Sequence, residues 1–166
     1  MDNAVKLVLE TENTLIEFEV IGYKTKLTYC DTENKVDYLT KTNKLECHYY
    51  FNSEGIGWGS VSDVYVTAKD LELLAKGLSQ ILIDKTKKLH FETEKRLFIV
   101  DVVSTDEKYN FCFKIIDGLE GVWVETFFNN LDEEQFKKYI ILFLEWSRRY
   151  PVLTEKQLLN VEKVCW

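Results

Sequence analysis

Tyr65-Val-Thr-Ala-Lys-Asp-Leu71 opens the stretch that decides the fold. It runs on through Leu73, Leu74, Leu78, Ile81 and Leu82 and leaves by a lysine-rich turn into Leu89-His90-Phe91. Thr67 predicts an N-cap, because its hydroxyl can accept from an orphan backbone N–H one turn in. Asp70 can reach back to the Thr67 amide, and it sits well against the positive end of the helix dipole. Leu71, Leu74, Leu78, Ile81 and Leu82 fall at helical spacing and form one apolar stripe. Burying each of them contributes roughly 1.5–3 kcal/mol. A helix of this length is marginal alone, so it must lie on something.

The flanking sequence supplies sheet. Residues 5–10 alternate, with Val5, Leu7 and Leu9 on one side. Residues 15–21 alternate again, with Ile16, Phe18 and Val20 inward and Glu17 and Glu19 outward, so the pair predicts a hairpin with one wet face. Gly22 breaks the run, and residues 23–30 predict a third strand. Residues 31–44 are polar and mixed in charge and predict a long surface loop. Residues 45–51 and 56–66 predict two further strands around the turn Asn52-Ser53-Glu54-Gly55. Beyond the helix, residues 89–92, 96–104, 109–116 and 121–128 predict a four-stranded antiparallel meander.

A second helix is expected from Asn130, with Glu133 completing a capping box. Phe136, Ile140, Phe143, Leu144 and Ser147 mark its inner face, and Pro151 stops it. Thr154 and Gln157 predict a short helical tail over residues 152–166. No repeat or linker is visible. The expected class is α+β: antiparallel meander sheets packed against two main amphipathic helices, one domain spanning residues 1–166.

Composition narrows the function classes. The chain has 166 residues, is 46% hydrophobic and carries a formal net charge of −7. That charge argues against sequence-independent nucleic-acid binding and suits a basic protein partner. No apolar run approaches the roughly 20 residues that span a bilayer, so no membrane partner is expected. Met1 to Lys6 shows no export signal, so a cytoplasmic protein with free thiols at Cys30, Cys47, Cys112 and Cys165 is expected.

No catalytic constellation emerges, and no enzyme activity, metal or cofactor is expected. Gly55, Gly57 and Gly59 lack the following helix and Lys-Ser/Thr pair of a phosphate loop, and instead predict a flexible hairpin carrying Trp58. Cys47 and His48 are strand neighbours pointing to opposite faces, so they cannot share a metal. His90 shows no sequence partner that would make it a base. Asp31, Glu33 and Asp37 with Tyr38, Tyr50 and Trp58 make a candidate protein-binding surface of aromatic anchors with an acidic rim.

The ordering resembles the WapI-associated bacterial immunity proteins. Lys6-Leu7-Val8-Leu9-Glu10, Glu19-Val20-Ile21-Gly22-Tyr23, Val66-Thr67-x-x-Asp70-Leu71-x-x-Leu74, Phe91-Glu92 and the closing helix to Tyr150-Pro151 carry the resemblance. The chain departs from the family at Lys44-Leu45-Glu46-Cys47-His48, where the family has Asp-x-Asn-Trp-Leu, and at Thr93-Glu94, where it has Glu-Pro. The resemblance implies an antitoxin of bacterial competition that covers the active site of a cognate toxin, typically a basic nuclease. A small hydrolase or nuclease-like enzyme with an unseen pocket, and a non-catalytic scaffold module self-associating through aromatics, stand as alternatives.

Overall fold

The computed structural model describes residues 6–10, 14–23, 43–53, 56–62, 66–84, 88–94, 96, 98–106, 108–116, 123–154 and 157. The first sheet is formed by β1 (Lys6–Glu10), β2 (Thr14–Tyr23), β3 (Leu45–Ser53) and β4 (Ile56–Ser62), paired antiparallel in chain order. Helix α1 (Ala68–Ile83) follows. The second sheet repeats the arrangement with β5 (Lys88–Glu92), β6 (Phe98–Thr105), β7 (Lys108–Ile116) and β8 (Trp123–Leu131), and α2 (Glu133–Arg149) closes it. The α+β class is as expected, and its two halves share one plan. Only the opening strands show this in sequence: Lys-Leu-Val-Leu-Glu in β1 and Lys-Leu-His-Phe-Glu in β5.

The Thr67 cap forms as predicted. Its hydroxyl accepts from the Asp70 amide at 3.1 Å, and the Asp70 carboxylate accepts from the Thr67 amide at 2.8 Å. Burial holds the Asp70 carboxyl above the usual carboxylate range, and the bonds from Thr67 offset only part of that rise. Leu71, Leu74, Leu78 and Ile81 are buried, and Leu73 on the far side is exposed. Gly77 sits mid-helix, where glycine costs about 1 kcal/mol against alanine. A Cβ there would stand 2.8 Å from a Leu89 methyl, so the glycine admits close approach of β5.

One core joins both sheets and both helices. Phe18 of β2 lies at its centre, 5.2 Å from the Phe98 ring, 5.9 Å from Phe113 and 5.5 Å from Trp146. At the other end Tyr109 stacks on Phe136 at 4.3 Å. The inward alternation of β2, β6 and β7 is that of strands with one wet face.

Several local expectations are corrected. The cap of α2 is Asp132, boxed with Gln135, rather than Asn130 with Glu133. Asn130 is held in a β7–β8 bulge at φ 61°, its amide taken by the Asn110 carboxamide at 2.9 Å. The innermost residue of the last turns is Trp146, fully buried, where Ser147 was expected. Tyr23 ends β2 instead of opening a third strand, and residues 24–30 lie outside the described residues. The expected surface loop ends in buried structure: Asn43 and Lys44 are under 5% exposed, and Lys44 bridges Thr67. The expected tail helix lies outside the described residues except Gln157, whose carboxamide accepts from the Thr154 amide at 2.9 Å. No helix among the described residues is long and apolar enough to cross a membrane.

Candidate functional site

Each sheet buries one face and leaves the other to solvent, so the two outer faces are the surfaces on which function can be built. On the first sheet the register aligns Val8, Glu17, Tyr50 and Gly59 in one row and Lys6, Glu19, His48 and Val61 in the next. Lys6 donates to Glu17 at 2.7 Å, which holds its ammonium in the charged form. Against Lys6 stand Glu10, Glu17, Glu19 and Glu46, so this face is acidic.

On the second sheet one row runs His90, Asp101, Cys112 and Phe127. The adjoining row runs Glu92, Ile99, Lys114 and Glu125. Lys88, Lys108 and Lys114 balance Glu92, Asp101 and Glu125, so this face is near neutral in an acidic chain. Phe127 stands on the edge strand and is 58% exposed. Cys112 lies across from it, Asn110 and Lys114 flank that cysteine on β7, and the bulge brings Asn129 and Asn130 to the surface beside it. Bulges commonly re-aim side chains at such edges.

The His90 ring shares a proton with Asp101, Nδ1 to Oδ1 at 2.6 Å, and its Nε2 lies 3.6 Å from Glu92. The Asp101 bond, then the two carboxylate charges, raise its pKa above the usual histidine value. Protonated His90 therefore stabilises the fold fully below about pH 6.5, and that contribution fades as pH rises through the raised folded value. Denaturant midpoints of the wild type should fall between about pH 5 and 8 relative to those of His90→Gln. The effect is small because the ring is 61% exposed. These partners come from the neighbouring strand β6 and the next-but-one residue of β5.

Cys112 donates to Glu125 at 3.7 Å, and burial with that carboxylate pushes its thiol up to about 12. It is no thiolate nucleophile near neutrality. Cys47 is buried, its thiol also raised, and His48 opposite in direction is exposed. No group of three or more His, Cys, Asp or Glu among the described residues could hold a metal.

Most of the expected binding surface lies outside the described residues. Asp31, Glu33, Asp37 and Tyr38 lie outside them. Tyr50 is exposed on the first sheet and accepts from the Asn52 carboxamide at 3.2 Å. Trp58 takes the register position opposite Phe51, one residue out of step with Tyr50. Phe127 went unremarked in the sequence, yet it was findable. Phe127 and Phe128 are adjacent on a strand, so one of them must face away from the core.

No family model and no curated protein matches this chain. Solved structures do. WHY3 from Arabidopsis thaliana is similar at TM-score 0.48 and 8% identity, with 90% of each chain covered. WHY1 from the same plant gives 0.49 and 8%, covering 92% of this chain and 93% of that one. The plant transcriptional regulator PBF-2 gives 0.48 and 7%, covering 99% and 87%. None of the three is described as an immunity protein, and PBF-2 is described as a transcriptional regulator; the expected antitoxin role, the basic toxin partner and the exclusion of nucleic acid stand corrected and are not carried further. The exclusion rested on a charge summed over the whole chain, and the two outer faces divide that charge unequally.

Proposed function

We propose that this chain is a non-catalytic cytoplasmic module that binds single-stranded nucleic acid on the outer face of the second sheet. Exposed Phe127 is the observation that carries it. An uncovered ring at a sheet edge gives a base a face to stack on, worth roughly 1–3 kcal/mol per base. The Asn129 and Asn130 carboxamides can donate to and accept from base edges, and Lys108 and Lys114 supply positive charge for a backbone phosphate. The balanced charge of the face predicts modest affinity and a shallow salt dependence, about −0.7 in log–log slope per phosphate neutralised.

Fluorescence anisotropy with a labelled single-stranded oligonucleotide tests the reading. Phe127→Ala should weaken binding about tenfold or more, the lower part of the stacking range. It should leave the circular dichroism spectrum unchanged, since the ring lies outside the buried core. Absence of binding by the wild type at low salt, or full binding by Phe127→Ala, would remove the second sheet as the interface.

A further inference from the structure

We propose that β1 is a homodimerisation edge: it pairs antiparallel with β1 of a second copy about a two-fold axis through Val8. Sheet order leaves β1 with β2 as its one partner strand, so its other side is free among the described residues. A groove of about 480 Å³ runs along that side, between β1 and α2. Its walls include Lys6, Leu7 and Val8 together with Tyr139, Ile141 and Leu142. Consecutive strand residues point to opposite faces, so a groove that touches Lys6, Leu7 and Val8 in turn follows the strand's edge. Val8 is 45% exposed and Ile141 54%, which gives this edge apolar lips.

The occupant follows from charge. An antiparallel pair centred on Val8 sets Lys6 of one copy opposite Glu10 of the other, twice, and Val8 opposite Val8. Opposite charges directly across a ladder stabilise it, and like charges oppose it. A parallel pair would set lysine against lysine and glutamate against glutamate. The strand is thus self-complementary under a two-fold, which is what an isologous interface requires. The product is one continuous eight-stranded sheet. β5 repeats the Lys-x-x-x-Glu pattern, but His90 takes the place of Val8 and its outward residues are all polar, so it offers no apolar centre to a two-fold pair.

Sedimentation velocity of the full chain across micromolar concentrations reads the outcome. The wild type should pass from monomer to dimer. Val8→Lys, which sets two like charges on the axis at an exposed position, should hold it monomeric with the melting temperature of the dilute, monomeric wild type. Glu10→Lys alone and Lys6→Glu alone should each weaken the dimer at least about tenfold. The double exchange Lys6→Glu with Glu10→Lys should recover it. Should Lys6→Glu unfold through its proximity to Glu17, Val8→Lys and Glu10→Lys carry the test. A wild type that stays monomeric, a dimer that survives Val8→Lys, a folded double exchange that recovers nothing, or loss of the dimer in His90→Lys would overturn the assignment.

Discussion

Replacing Phe18 with alanine is expected to remove about 3–5 kcal/mol of stability. Against a total of roughly 5–15 kcal/mol for a domain of this kind, that leaves the fold at or below the edge of stability. The size follows from position. Phe18 is fully buried and meets Phe98 and Phe113 of the second sheet and Trp146 of α2, the last edge-on at 74°. Those three rings belong to elements that cannot close over the void without moving a sheet or a helix, so the cavity persists and its cost adds to the lost transfer energy. Urea unfolding would show a lower midpoint at constant slope. Phe18→Leu, which keeps much of the volume, should cost under half as much. A midpoint shift in Phe18→Ala no larger than that of an exposed site would mean that the sheets do not share this core.

Asn43→Ala is expected to cost roughly 2–4 kcal/mol, large for one polar residue. Asn43 is 4% exposed, and its carboxamide donates to the Leu153 carbonyl at 3.0 Å and accepts from the Leu153 amide. Its own carbonyl accepts from the Ala68 amide at 3.0 Å. Removing the carboxamide leaves part-buried backbone groups at Leu153 without partners, about 1–3 kcal/mol. The residue also holds φ 50°, in the left-handed region where alanine is strained by roughly 1 kcal/mol or more. Asn43→Gly relieves the strain but still lacks the carboxamide bonds, so it should recover about a third of the difference in urea midpoint. Equal stability of the alanine and glycine variants would assign the whole effect to the hydrogen bonds. The same tether is reinforced by Tyr150, whose hydroxyl donates to the Val20 carbonyl at 3.0 Å, and by Tyr23, which donates to the Pro151 carbonyl at 2.5 Å. The stretch after Pro151 is therefore bonded into the body through Leu153.

Much of this architecture could be read locally. Thr67 and Asp70 cap a helix through atoms three residues apart, and Leu71, Leu74, Leu78 and Ile81 select its buried face by period alone. The alternation of Phe98 to Ser104 and of Tyr109 to Ile115 announces strands with one wet face for the same reason. The α2 cap was misplaced by two residues because Asn130 and Asp132 are both good caps. The choice between them was made by a bulge pairing with Asn110, twenty residues away.

The candidate site was less legible. A residue's face can be inferred from alternation, but its neighbours on adjacent strands depend on register, which no single segment carries. His90 looked isolated because Asp101 reaches it across the β5–β6 ladder. Net charge was visible at once, and its division into an acidic outer face and a balanced one was not, because that division exists only after the strands are ordered.

Two capped helices, alternating strands and an α+β class were determined by the chain itself, since capping, turns and hydrophobic period act within a few residues. The tertiary structure alone decided that Phe18 would join two sheets, that Asn43 would hold Leu153, that Phe127 would be exposed, and that β1 would stand at the end of its sheet among the described residues. Those outcomes turn on contacts between segments distant in sequence, where packing and register select one pairing among many that local chemistry permits.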